Sequence, residues 1–343
     1  MIQGKKMVIV YLAGVLLLLI SVITACLLGS VDITVGTVLA VLRQELLGGS
    51  AAGVTDADVY IIWRLRFPRA LLAFAIGGGL AVCGAVMQSI TRNVMADPYV
   101  LGVSSGALAF VSVGYLAGGA ITTTVWFIPT LAFLGSIIAL VLVMLVGGFS
   151  KDTSPARLVL SGTAVSITLN AVAQYCIYNS QTSNKANSIV SWMMGSLAGA
   201  RWNNILIPIV GCAAGFLVFF LLSRSFDLIA LGDETAVSLG TNVTRIKRLS
   251  LTVVAVVAGV SVASCGIIGL VGFVVPHIIR FICGTGHRRL LPMSFLAGGI
   301  FLIWMDILAR TLLAPQEVPV GIFTALCGGP YFIWILRKRT RKR

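Results

Sequence analysis

Residues Arg66 to Gly106 read RFPRALLAFAIGGGLAVCGAVMQSITRNVMADPYVLGVSSG. Arg66, Pro68 and Arg69 open the stretch, and small and apolar residues follow over about one bilayer's thickness. A polar turn, Arg92-Asn93 through Asp97-Pro98, closes it. Glycines 77, 78, 79 and 84 allow another helix to approach closely, as tightly packed membrane bundles require. The turn falls where a spanning helix must end, and it carries too many hydrogen-bonding groups to face lipid. Arginines at one mouth, a closely packed wall and a polar turn at the other end point to a conduit. This is the pattern of a transporter rather than an anchor.

Composition agrees. Hydrophobic residues make up 58% of the 343 and charged residues 10%, against roughly 25% charge in a soluble domain, and the mean hydropathy is +1.02. Nine apolar runs are long enough to cross a bilayer as helices, which takes about 20 residues. They lie near 7–29, 70–90, 98–119, 125–149, 156–178, 203–222, 249–270, 291–313 and 318–336. A shorter run, 271–284, is interrupted by Pro276, His277 and Arg280. Lys5 and Lys6 place the N-terminus in the cytoplasm and the tail RKRTRKR places the C-terminus there too. Two cytoplasmic ends require an even number of crossings, so the interrupted run counts as the tenth.

Threading ten spans puts 18 of the 25 Lys and Arg on the cytoplasmic side, among them Arg92, Lys151, Arg245, Lys247 and six in the tail. Arg43, Arg64, Arg66, Arg69, Lys185, Arg201 and Arg310 fall outside. That bias follows the positive-inside rule. The net charge of +14 is therefore topological and calls for no nucleic acid; the basic tail suits anionic headgroups of the lipid bilayer. The first run follows two lysines, but it is longer than a signal-peptide core and lacks a small-residue cleavage site, so it is expected to stay as a span. Seven scattered cysteines without a CxxC pair indicate small core residues, with no metal site and no cofactor expected.

Short connections leave no room for an ordinary soluble domain, so residues 1–343 are expected to form one membrane domain. Thr37 to Leu47 has near-helical apolar spacing within the outer connection 30–63. Segment 179–202 suits a partly re-entrant turn and a short helix. The cytoplasmic loop 223–248 holds three of the eleven acidic residues. Within it, LGDETAVSLG (231–240) reads as a short helix. Asp233 and Glu234 suit its positive end. Ala236, Val237 and Leu239 give it an apolar side, and Gly240 is a natural stop. Such a helix either lies on the membrane surface or enters a groove on a cytosolic partner; its acids would be repelled by an anionic leaflet, which favours the partner.

No GxxxxGK[ST] phosphate loop, HExxH or GxSxG is present, so the chain is not expected to be an enzyme or to bind ATP by that cradle. His277 is expected to serve backbone freed at a helix break beside Pro276 rather than a metal. Asp306 stands within an apolar run, with Arg310 one turn away as its expected partner.

The chain resembles the permease subunits of binding-protein-dependent ABC importers of the iron-siderophore, haem and cobalamin class, the FecCD, or BtuC-like, family. The resemblance covers nearly all of it, through RFPR (66–69), GAVMQ (84–88), RNVMADPYVLG (92–102), WMMGSL (192–197), LGDETAVSLG, GLVGFVVPHIIR (269–280), MDILAR (305–310), EVPVG and GGPYFIWIL. The family usually carries Pro-Leu where this chain has Val94-Met95. The resemblance implies an all-α fold of the type II importer permease, with about ten transmembrane helices and cytoplasmic termini, in the inner membrane of a prokaryote. It implies a second permease, identical or similar, and two ATP-binding cassette ATPase subunits gripping the coupling helix of loop 223–248 at Gly232, Asp233, Glu234, Ala236, Leu239 and Gly240. It further implies an extracytoplasmic substrate-binding protein docking on Arg66, Arg69 and Arg310, and a cytoplasmic gate at Asn93 and Met95. The implied cargo is a ferric siderophore or related iron chelate, with cobalamin or haem as alternatives. An ion-coupled secondary transporter is the reading from another class, but ionisable groups deep in the spans are scarce. A scaffold would leave the outer arginines without a role.

Overall fold

A computed structural model describes residues 4–48, 53–118, 124–147, 155–180 and 183–340. Lys151 and the terminal Arg341, Lys342 and Arg343, used above for orientation, lie outside the described residues. Among the described residues every regular element is helical. In chain order these are α1 (Gly4–Leu27), α2 (Val35–Leu47), α3 (Asp56–Val59), α4 (Phe67–Ile90), α5 (Val103–Ala117), α6 (Phe127–Gly147), α7 (Pro155–Tyr178) and α8 (Ser183–Met193). There follow α9 (Leu206–Leu221), α10 (Ser223–Leu231), α11 (Asp233–Ser238), α12 (Val243–Cys265), α13 (Val271–Cys283), α14 (His287–Thr311) and α15 (Val320–Thr340). A π-helical turn, Tyr60–Arg66, joins α3 to α4, and a 3-10 turn, Pro98–Leu101, precedes α5.

Each of the ten apolar runs meets a helix. Among the described residues six helices are long and apolar enough to cross a membrane: α1, the continuous 35-residue rod ending in α4, α6, α7, α12 and α14. A seventh crossing requires α9 and α10 together, across a 57° bend. Helices α5 and α13 and the apolar part of α15 are shorter. The run 98–119 is not one helix: Asp97 caps the 3-10 turn by accepting from the Tyr99 amide at 2.9 Å, and Gly102, in the left-handed region with φ +73°, ends it before α5 begins. The short helix expected near Thr37 is α2, capped by Thr34, which accepts from the Thr37 amide. It buries Val38 and Val41 against Cys26 and Ile62. The helix expected within 179–202 is α8.

Helix α4 is the centre of the bundle, and its antiparallel packing on α14 is the most extensive in the molecule. A side chain at Gly77 would overlap the backbone of Gly298, and one at Gly298 would overlap Gly77. The two helices therefore meet backbone to backbone. Gly84 makes the same close approach to Gly272 on α13. By contrast α1, whose Val8, Ile9, Leu12 and Leu16 are exposed, offers its face to lipid.

The expected break at Pro276 is absent, because α13 continues through it. Proline lacks the N–H that would bond the carbonyl four residues back, here Gly272. The Gln88 side-chain amide from α4 donates to Gly272 O and Phe273 O, both at 3.3 Å, and so replaces the missing bond. Gln88 is thus the side chain that serves the carbonyl left by Pro276. His277 instead packs edge-on against Phe281 and Tyr331.

The α4–α13 contact predicts that Gly84→Val destabilises the folded chain by about 3 kcal/mol, the upper range for overpacking. Gly269→Ala, where a methyl group meets nothing, should leave the midpoint of unfolding in detergent unchanged. Equal midpoints for the two variants would contradict the packing.

Candidate functional site

Polar side chains collect at the two ends of the α4–α14 pair. From Arg69 to Ser89 is twenty residues, or about 30 Å of helix, close to the thickness of a bilayer's hydrocarbon core.

At the first end stand the three arginines. Arg69 lies between two carboxylates: Nε donates to both Asp306 oxygens at 2.9 and 3.0 Å, and Nη1 donates to both Glu317 oxygens at 3.0 and 2.9 Å. Arg310 donates to Ala25 O at 2.5 Å, while its Nε lies 3.6 Å from Asp306. The principal partner of Asp306 is thus Arg69 on the facing helix, and the expected i,i+4 pair with Arg310 is the longer contact. Arg66 donates to the carbonyls of Cys26, Leu27 and Val31 at 2.8, 2.6 and 2.8 Å. With Arg310 it closes the C-terminal end of α1, where unpaired carbonyls and the dipole favour a cation. All three arginines are buried as residues. They line a pocket of about 380 Å³ together with exposed Arg201 and half-exposed Glu317.

At the opposite end the chain turns after α4. Asn93 Oδ1 accepts from the Met95 amide at 3.0 Å, so the two expected gate residues share one tight turn, and both are exposed. Preceding them, Arg92 has φ +48°, in the left-handed region that residues other than glycine seldom adopt. Its guanidinium lies 2.5 Å from Asp233 Oδ1, and Lys247 of α12 bonds Asp233 Oδ2 at 2.6 Å. Partial burial would raise the Asp233 carboxyl, yet hydrogen bonds and charge from Lys247 and Arg92 outweigh it and hold the group below its ordinary value. The short helix expected at 231–240 is α11, and it stops at Gly240, whose φ is +82°. Of its apolar side, Ala236 is buried, whereas Leu231, Val237 and Leu239 are 70%, 60% and 59% exposed. Nearby, Ser89 Oγ lies 2.5 Å from His287 Nε2, and His287 Nδ1 lies 2.6 Å from Asp227 Oδ1 on α10.

A third site lies at the open ends of α5 and α12 beside α8. It is a pocket of about 510 Å³ lined by Asn187, Ser188, Ser191, Ser196 and Ser264 with Tyr115 and Trp192. Hydroxyl, amide and aromatic groups make its wall, and none of its lining residues is charged.

The profile of the FecCD transport family matches residues 17–338. The chain belongs to this family. Among its relatives, the cobalamin import system permease protein BtuC of Halobacterium salinarum is 36% identical over 84% of this chain and 76% of its own. The hemin transport system permease protein HmuU of Yersinia pestis is 36% identical over 84% and 87%. The Fe(3+)-citrate import system permease protein YfmE of Bacillus subtilis is 33% identical over 99% and 98%. A solved metal-chelate type ABC transporter in an inward-facing conformation superposes with a TM-score of 0.83, at 28% identity, covering 96% of this chain and 99% of that one. As a FecCD protein with six or seven apolar spans by length and composition, the chain is a multi-pass membrane protein.

Within this FecCD chain several polar partners are invisible to sequence reading. Glu317, Asp227 and Arg92 meet Arg69, His287 and Asp233 across 248, 60 and 141 positions. The signal that could have found them is the scarcity of charge itself, since an acid beside an apolar run needs a partner. Asp306→Ala would leave Arg69 with Glu317 alone and Arg310 without its carboxylate, and breaking a buried pair in this way costs about 3–5 kcal/mol. Asp306→Ala should therefore lower the unfolding midpoint sharply, whereas Asp306→Ala with Arg69→Met should recover much of the loss. A double variant less stable than the single would show that Arg69 and Asp306 do not act as a pair.

Proposed function

We propose that this FecCD protein is the membrane-spanning permease subunit of an ABC importer, with ten crossings, both termini cytoplasmic and residues 1–343 forming one domain in the inner membrane of a prokaryote. Two permeases enclose the pathway, separate ATPase subunits hydrolyse ATP, and a substrate-binding protein delivers the cargo from outside. The observation that carries this most directly is α11. It is a six-residue helix that leaves Val237 and Leu239, with Leu231 before it, in solvent while its acid is tied into the bundle. A short helix held this way suits insertion into a groove on the ATPase, with Gly232, Asp233, Glu234, Ala236, Leu239 and Gly240 forming the docking segment. Asn93 and Met95, at the same end, form the cytoplasmic gate.

At the outer end, Arg66, Arg69 and Arg310 are committed to internal partners, so they act on a docking protein through their field. Four arginines and one glutamate line that pocket, and a positive excess in a concave, partly desolvated site attracts acidic groups. Exposed Arg201 is the member that can reach a partner directly. The cargo is a ferric siderophore or a related iron chelate. Several relatives are named for iron complexes, and the uncharged hydroxyl-rich pocket beside α8 suits an oxygen-rich chelate of low net charge. The relative named for cobalamin import supports cobalamin as the second cargo.

Purified alone, the chain should hydrolyse no ATP. Val237→Asp with Leu239→Asp should reduce co-purification of the partner ATPase by about tenfold or more, as loss of a central apolar contact does, with insertion intact. Undiminished co-purification would remove α11 from the docking surface.

At the other face, Arg201→Glu should slow association of the binding protein and flatten its salt dependence. Association kinetics unchanged across a salt series would exclude electrostatic docking at this pocket.

A further inference from the structure

Two separate contacts join the last turn of α4 to the segment carrying α11. The first is ionic: Asp233, the first residue of α11, holds Lys247 of α12 with one oxygen and Arg92 with the other. The second is a chain of hydrogen bonds: Ser89 of α4 meets His287 Nε2, and His287 meets Asp227 of α10 through both its ring Nδ1 and its backbone amide, at 2.6 and 2.9 Å. Both contacts converge on one place. Ser89 O accepts from the Arg92 amide at 3.3 Å, closing the turn that continues into Asn93 and Met95. Ser89 and His287 are buried, so their contact is shielded from competing water.

The geometry points to a coupling role for these residues: Arg92 and the Ser89–His287–Asp227 chain are the positioning residues through which displacement of α10–α11 moves the Asn93–Met95 turn, an inference that rests on α11 being the ATPase-docking helix. Several features fit. Lys247 alone would keep Asp233 on α12, so the Arg92 contact adds a link to α4 and not a second anchor for α11. Arg92 is held in a left-handed backbone conformation, and any movement of Asp233 acts on a turn with that unfavourable dihedral angle. The hydrogen-bond chain reaches α4 one turn earlier, and two attachments one turn apart transmit rotation as well as translation. Coupling of this kind requires an element with two arrangements that both ends bias, and the exposed 92–95 turn at the free end of a buried helix is that element.

The test uses the assembled transporter in proteoliposomes. Met95→Cys is introduced into a chain whose half-buried Cys283 and exposed Cys327 are replaced by serine. Labelling of residue 95 by a membrane-impermeant maleimide is followed with and without ATP, while a cysteine at position 237 reports crosslinking to the ATPase in a parallel sample. In the parent, ATP should change the labelling rate by about fivefold or more. Arg92→Gln with Ser89→Ala should reduce that change to under about twofold, with crosslinking and ATP hydrolysis retained, and Arg92→Lys should restore part of it. A full ATP-dependent change in the double variant overturns the coupling role and leaves the docking role standing. Failure of position 237 to crosslink in the parent overturns both. Loss of the labelling response together with loss of crosslinking also overturns it, because the two residues would then support docking itself.

Discussion

Helices α4 and α14 lie antiparallel with their backbones in contact, and everything else in the molecule is arranged around that seam. A hydrophobic effect cannot drive two apolar helices together within lipid, so the close approach at Gly77 and Gly298 must supply dispersion contact instead. The seam alone would allow sliding. It is held at one end by Arg69 between Asp306 and Glu317, and at the other by Ser89 against His287. These polar contacts sit about 30 Å apart along the helix, close to the thickness of a bilayer's hydrocarbon core. A buried ion pair contributes little net stability against an apolar alternative, but it fixes which turn of one helix faces which turn of the other.

The expected picture of the outer face treats the arginines as free hands for a partner. Their geometry assigns them first to the chain itself. Arg66 and Arg310 complete the end of α1, and Arg69 joins α4 to α14 and to the segment before α15. The pocket lined by these arginines therefore carries a preorganised positive field. Preorganisation of that kind costs little reordering on binding.

Much of this was legible in the sequence because lipid imposes one-dimensional rules. Each apolar run met a helix, six of them long enough among the described residues to cross a membrane, and the periodicity of residues 37–47 marked α2. The acid pair and terminal glycine of 231–240 marked α11 closely. The resemblance to the FecCD family, carried by motifs from Arg66 onward, held. What could not be read were relations across the fold. Local spacing assigned Asp306 to Arg310, whereas the facing helix supplied Arg69 in better geometry. A proline in a short run implied a break, because the sequence does not reveal that Gln88 lies opposite. The length of run 98–119 concealed the break at Gly102, since a 3-10 turn followed by a short helix has the same composition as one long helix.

The Gln88–Pro276 arrangement has a consequence for how this sequence can change. The proline leaves a carbonyl without its donor, and a glutamine 188 positions away supplies one. The proline is poorly suited to its place without the glutamine, whereas Gln88 also accepts from Arg280. Pro276→Ala would restore the helical bond and leave the Gln88 amide with a redundant acceptor, while Gln88→Leu would strand a carbonyl in an apolar interior. The two positions are therefore epistatic. A lineage that loses Gln88 while Pro276 remains passes through a less stable intermediate, whereas one that loses the proline first does not, so the order of exchange is constrained.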